Sequence, residues 1–177
     1  MKISIASDIH LEFGDLDLRN SDGAEVLILS GDICVARDVS DRDDAGWDSR
    51  LDRNDRIHDF FQRCAAEFAH VIYVVGNHEH YHGCYDDTYQ IIKQHVPDNV
   101  HVLENQTHQI DDVLFIGCTL WTDANRDDPI TKLTLQDCMN DYRTVKKRPG
   151  PDQAHWGRLS VAATVYAHKK SRAFIED

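Results

Sequence analysis

The stretch His70-Val71-Ile72-Tyr73-Val74-Val75-Gly76-Asn77-His78-Glu79 decides how the rest of the chain is read. A short continuous apolar run, rich in β-branched and aromatic side chains, predicts a strand over His70–Val75 that is buried on both faces of a sheet. Gly76 then lets the backbone turn tightly, and an amide, an imidazole and a carboxylate follow in immediate succession. All three side chains can bind a metal ion.

Two earlier segments repeat this pattern. Lys2–Ala6 runs into Ser7-Asp8-Ile9-His10, and Glu25–Ser30 runs into Gly31-Asp32. Between the second and third runs, Trp47–Phe68 places Leu51, Ile57, Phe61, Cys64, Ala65 and Phe68 at helical spacing opposite a face of Asp and Arg, which predicts a crossover helix and a βαβ unit. In a parallel α/β sheet the strand C-termini share one edge, where ligands bind. Asp8, His10, Asp32, Asn77 and His78 therefore arrive at one place from separate segments. Taken singly, Asp-x-His and Gly-Asp are ordinary turn or cap chemistry. Their occurrence in order, each at a strand end, points to a divalent metal, and a shared carboxylate suits a dinuclear site.

Downstream, Tyr85–His95 predicts a helix stopped by Pro97, and Val100–Leu103 and Val113–Leu120 predict two strands. Asp123–Gly150 is polar and reads as a long surface excursion ending in Pro149-Gly150-Pro151. From Ala154, the residues Trp156, Leu159, Ala163, Tyr166 and Phe174 predict a last amphipathic helix.

Composition narrows the function. With 177 residues, 41% hydrophobic and 28% charged, the chain fits a single globular domain over 1–177. A net charge of −12 (19 Lys and Arg against 31 Asp and Glu) repels a phosphate backbone, so extended nucleic acid is not an expected partner. The five cysteines form no Cys-x-x-Cys pair, and no apolar stretch approaches a membrane span or a signal peptide. A cytoplasmic protein with free thiols and no membrane contact is expected. Eleven histidines are many for this length, and imidazole is the commonest metal ligand.

The order Asp8-x-His10, Gly31-Asp32, Gly76-Asn77-His78-Glu79 resembles the first three motif blocks of the calcineurin-like metallophosphoesterases, particularly the small bacterial and phage members. Similarity continues through Leu120-Trp121-Thr122-Asp123 and Met139-Asn140-Asp141-Tyr142-Arg143. The resemblance implies an α/β sandwich of two β-sheets flanked by helices. It also implies hydrolysis of phosphoric esters, mono- or diester, by a metal-activated hydroxide acting on a small phosphorylated substrate. Asp8 and His10 would bind the first metal, Asp32 would bridge both, and Asn77 would bind the second. His78 would be the catalytic residue, stabilising the transition state or protonating the leaving oxygen. Two divalent ions are implied, with Mn, Fe, Zn and Ni all compatible with N and O ligands. Glu79 is placed in sequence to orient His78 or a metal-ligating group, and equally to stand in solvent or at a helix start.

The resemblance stops short of the family's later single His and its Gly-His-x-His segment. After Glu79 the histidines are His80, His82, His95, His101, His108, His155 and His168, none preceded by Gly. The domain is thus expected to be incomplete at its C-terminus, the N-terminal two-thirds of the usual one. The edge left uncovered would be relieved by a homo-oligomer or a partner chain. A second reading follows: a catalytically incomplete protein that binds a metal or a phosphorylated ligand, or a piece of such a hydrolase. His78, His80 and His82 would share one face if extended, although an exposed loop at the site rim is the simpler reading for His80 and His82. His155 and His168 read as surface or packing residues. Arg143, Lys146, Lys147 and Arg148 form the one basic cluster, open to phosphate steering or to plain solvation.

Overall fold

The structure is a computed structural model and describes residues 1–40, 49–149 and 156–177. Trp47, the Gly150-Pro151 turn, Ala154 and His155 fall outside the described residues.

Strands β1 (Ile3–Ala6), β2 (Val26–Ser30), β3 (His70–Val74) and β4 (Val100–Leu103) form a four-stranded sheet in the order β1-β2-β3-β4, and every pairing is parallel. The chain crosses from β2 to β3 through α1 (Ala36–Ser40) and α2 (Ser49–Glu67), and from β3 to β4 through α3 (Thr88–His95). These helices cover one face. Leu27, Leu29, Val71 and Tyr73 of the sheet pack there against Ile57, Phe60, Phe61 and Cys64 of α2 and Ile92 of α3.

The opposite face is covered by an antiparallel hairpin, β5 (Gln106–Ile110) and β6 (Val113–Gly117). Ile110 and Phe115 of the hairpin pack on Val26, Ile72 and Leu103 of the parallel sheet. Gly117 makes the close approach possible, since a Cβ there would lie 2.4 Å from that of Leu103. Coverage is partial, and Ile3, Ile5, Leu114 and Ile116 remain exposed. The architecture is the expected α/β arrangement of a parallel and an antiparallel sheet flanked by helices.

A smaller apolar cluster of Ala124, Tyr142, Val145, Leu159, Val161 and Val165 holds the last third of the chain. It gathers α4 (Ala124–Asp127), α5 (Pro129–Cys138), α6 (Asp141–Thr144), the short pair β7 (Lys146–Lys147) and β8 (Gly157–Arg158), and α7 (Val161–Glu176). The segment read as a surface excursion therefore contains a helix of ten residues, α5. Its start is fixed by Asp128, whose side chain accepts from Thr131 N at 2.7 Å, and by Pro129 in the first turn. The final helix begins at Val161 and not at Ala154, because Ser160 caps it and Leu159 N is tied to Val145 O at 2.9 Å. Strand β6 ends at Gly117, short of Leu120, where the Thr119 hydroxyl turns to Glu104 at 2.8 Å and to Val75 O. No helix among the described residues is long and apolar enough to cross a membrane.

Candidate metal centre

Parallel pairing continues past the strand ends and assembles the site. Asp8 N donates to Gly31 O at 3.1 Å, His10 N to Asp32 O at 3.0 Å and Leu11 N to Ile33 O at 2.9 Å, which lays the loop after β1 along the loop after β2. Asp8, His10 and Asp32 all adopt left-handed backbone, with φ of 54°, 52° and 54°. Such a conformation costs energy in a non-glycine residue and persists only where the surroundings enforce it, most often at functional sites. The loops after β2 and β3 touch backbone to backbone. A Cβ on Gly76 would meet Asp32 Oδ1 at 2.3 Å and Asp32 N at 2.6 Å, so no side chain fits there. Opposite it, Gly31 has φ +90°.

The result is convergence of three of the expected ligands. One ligand atom each from Asp8, His10 and Asp32 lies within 4.8 Å of the others. His10 belongs equally to a second group with Glu12 and His78 under the same limit. Asn77 precedes the 3-10 turn His78–His80 without a side-chain capping hydrogen bond, and His78 N donates to Asp32 Oδ1 at 2.9 Å, so the third loop is locked to the second. The strand ends therefore gather Asp8, His10, Asp32, Asn77 and His78 at one edge. Two carboxylates and an imidazole form a donor set suited to a hard or borderline divalent ion.

Glu79 is fully buried, and it does not face the His78 ring. Its Oε1 accepts from Ile33 N and from the Tyr73 hydroxyl, both at 2.8 Å. Its Oε2 accepts from Asp32 N at 3.1 Å and from Gly76 N at 2.8 Å. One carboxylate thus clamps the loops that present Asp32 and Asn77. Burial pushes its carboxyl up to about 7, against the pull of those donors. Burial likewise pushes the Tyr73 phenol well above its ordinary value, so it remains a donor to Glu79.

The group that orients His78 is Glu12. Its Oε1 lies 3.1 Å from His78 Nδ1 and 3.2 Å from His10 Nδ1, while its Oε2 is buried with no hydrogen-bond partner among the described residues. The Tyr81 ring stacks on His78 at 4.2 Å and Tyr81 donates from its hydroxyl to Asp141 at 3.3 Å. Burial pushes that phenol up to about 12. Neither Glu12 nor Tyr81 was singled out by the sequence. The signal for Glu12 is the alternation Asp8-Ile9-His10-Leu11-Glu12, in which it is the third polar member at a period of two. Beside these residues opens a cleft of about 730 Å³ lined by Glu12, His78, Tyr81, Arg37, Arg53 and Asn140. Arg53 pairs there with the buried Asp38 at 3.2 Å.

Other histidines and the basic cluster have structural duties. His80 is buried and stacked on Tyr85 at 4.8 Å, which corrects the expectation of an exposed rim residue, whereas His82 is exposed. His168 donates from Nδ1 to Trp121 O at 3.0 Å, and Trp121 packs in the smaller apolar cluster. Lys147 and Arg148 are paired with Asp86 and Asp87, and Arg143 with the carbonyl of Asp137, so most of the basic cluster is committed to surface ties.

No protein-family model matches the chain. Among curated proteins, the uncharacterized protein L509 of Acanthamoeba polyphaga mimivirus is 28% identical over an alignment that covers 80% of this chain and 50% of that one. The chain spans about half the length of that relative. Among solved structures, phosphopantetheinyl hydrolase from Mycobacterium tuberculosis shares the fold, with a TM-score of 0.61 at 17% identity over 99% of this chain and 63% of that one.

Proposed function

We propose that the chain is a metal-dependent hydrolase of phosphoric esters, acting on a small phosphomonoester or phosphodiester. One observation carries the reading: ligand atoms of Asp8, His10 and Asp32 converge within 4.8 Å at the C-terminal edge of a parallel sheet, with His78 in the adjoining group. The shared fold with a phosphopantetheinyl hydrolase supports it. Asp8 and His10 would hold one divalent ion, Asn77 a second, and Asp32 both. Bound divalent ions supply an acidified water as nucleophile and neutralise charge on phosphoryl oxygens.

The chain's own groups supply the rest. The Glu12 carboxylate accepts the Nδ1 proton of His78; with a second proton on Nε2, the ring would hand that proton to the leaving oxygen and keep the Nδ1 proton on Glu12. Stacking on Tyr81 holds the ring plane. Arg37 and Arg53, the latter paired with Asp38, line the same cleft and add positive charge to its wall. A substrate lying in this cleft would place its phosphate toward the strand ends.

The test is hydrolysis of a chromogenic phosphodiester and a chromogenic phosphomonoester by the full chain, with Mn, Fe, Zn and Ni ions added separately, for wild type and Asp32→Asn. Turnover of either ester that disappears in Asp32→Asn is the expected result. No turnover with any of the ions overturns the reading and leaves a protein that binds a metal or a phosphorylated ligand without converting it.

A further inference from the structure

A second cluster of ligand side chains lies away from the strand ends. His70 opens β3, His101 lies within β4 and His108 within β5. Strand geometry brings them together. His70 and Ile72 share one face of β3, and the register Ile72↔His101 sets His101 beside them on β4. On β5, His108 and Ile110 turn toward the parallel sheet while Thr107 and Gln109 face solvent. All three rings are half-buried between the two sheets.

Their ligand atoms lie close enough to share a cation. One ligand atom from each histidine lies within 4.8 Å of the others. His70 Nδ1 is 3.5 Å from His101 Nε2, whereas the rings of His101 and His108 stack at 3.6 Å with 21° between their planes. Because a ring nitrogen binds a metal in the plane of its ring, an ion held by all three requires one of those two imidazoles to turn out of the stack. The His70–His101 contact is the one hydrogen bond the three imidazoles make among the described residues, so most of their ring nitrogens have no protein partner. A cleft of about 340 Å³ lined by His101 and His108 gives access from solvent.

We propose that His70, His101 and His108 form a separate site for one borderline divalent ion of the zinc class, bound by three imidazoles with a fourth position open to the cleft. Three histidines and an open position are a known zinc arrangement, and the absence of a carboxylate from the group disfavours magnesium and calcium. Because the ligands come from β3, β4 and β5, the ion clasps the hairpin to the edge of the parallel sheet. Its binding energy becomes folding energy. The site does not depend on the hydrolase reading, since it shares no residue with the strand-end cluster.

Cobalt and zinc ions are the probes. His10 belongs to both strand-end groups, so His10→Asn with Asp32→Asn removes them and serves as the background for the chelator-treated full chain. Cobalt titration of this background is expected to give visible ligand-field bands at one ion per chain. Adding His108→Gln should weaken binding more than tenfold with the far-UV circular dichroism unchanged. Zinc at about a hundredfold excess over its Kd should raise the Tm of the background by roughly 5–10 °C, and that shift should vanish in His108→Gln. Should the background fail to fold, the same comparison is made between wild type and His108→Gln, where one ion per chain is expected to be lost. Cobalt or zinc binding that His108→Gln leaves unchanged, or no binding in a folded background, overturns the proposal.

Discussion

The strand-end cluster and the histidine cluster collect ligands by opposite means. Asp8, His10 and Asp32 stand on loops in left-handed backbone, two of the three being carboxylates, at the edge where β1, β2 and β3 finish. His70, His101 and His108 stand on regular strands and are brought together by the β3–β4 register and by the packing of the hairpin on the parallel sheet. A loop site needs local supports, and each can be named: the contact of Gly76 with Asp32, the clamp of Glu79 on three backbone N–H groups, and Glu12 between two imidazoles. A strand site needs only that the sheets pack. Damage to one support should therefore disturb the strand ends far more than the histidine cluster.

The largest expected effect comes from Gly76→Ala. The added methyl has both Asp32 Oδ1 and the Asp32 backbone N inside contact distance, so either Asp32 or the loop must move. Overpacking of this kind should cost roughly 3 kcal/mol in urea denaturation and abolish Asp32-dependent turnover. Cobalt bands of the histidine cluster should persist under conditions where the variant is folded. A Gly76→Ala protein as stable and active as wild type would break the link between loop approach and site assembly.

Glu79→Gln comes next. The amide nitrogen that replaces one carboxylate oxygen would face hydrogen-bond donors, Asp32 N and Gly76 N on one side or Ile33 N and the Tyr73 hydroxyl on the other. A buried donor without an acceptor costs about 1–3 kcal/mol, to be read as a lowered denaturation midpoint. Unchanged stability would show that the clamp is not what fixes the two loops.

How much of this was legible beforehand depends on where the signal lies. Strands β1 to β3 are continuous apolar runs with polar residues at their ends, so the sheet and the edge carrying Asp8, His10, Asp32, Asn77 and His78 could be read directly. Strand β5 could not, because Gln106-Thr107-His108-Gln109 has no apolar period and is held by its partner β6. Helix α5 did carry a start signal in Asp128-Pro129, hidden by the polarity of its surroundings. Roles set by tertiary contact were beyond reach. Glu12 meets His78 across 66 residues, and Glu79 turns its carboxylate from the adjacent His78 to a loop 46 residues away. The histidine cluster likewise depends on strand register, which no local pattern in the sequence displays.

Glu12→Gln tests the chemistry of the strand ends without their scaffold. The amide keeps the shape of Glu12 but removes the negative charge beside His78 and His10, and neither the sheet pairing nor the Glu79 clamp involves it. Carboxylates that orient a neighbouring imidazole are commonly worth about 10- to 100-fold. A fall of that size in kcat, with the urea midpoint little changed, is expected. An equal loss of stability would move Glu12 from the chemistry to the scaffold.

His80→Phe is the smallest and sharpens the boundary of the strand-end site. His80 is buried among Tyr85 and Trp121, and its Nδ1 has no hydrogen-bond partner among the described residues. Burial pushes its imidazole down to about 3 from an ordinary 6.5, so the folded protein holds it neutral while the unfolded chain takes up a proton below pH 6.5. Its contribution is therefore complete above pH 6.5 and is lost as pH falls toward 3. The slope is at most about 1.4 kcal/mol per pH unit. The aromatic ring of Phe keeps the stacking and removes the titration. Stability at pH 7 should change by less than about 1 kcal/mol, because the swap is nearly volume-conserving. Between pH 6.5 and 5.5, wild type should lose stability relative to His80→Phe in chelator-treated samples, read from paired urea curves. Parallel curves would mean that the imidazole is protonated and accommodated in the folded state. His80 would then have to be counted with the charged groups of the strand ends and not with the packing behind them.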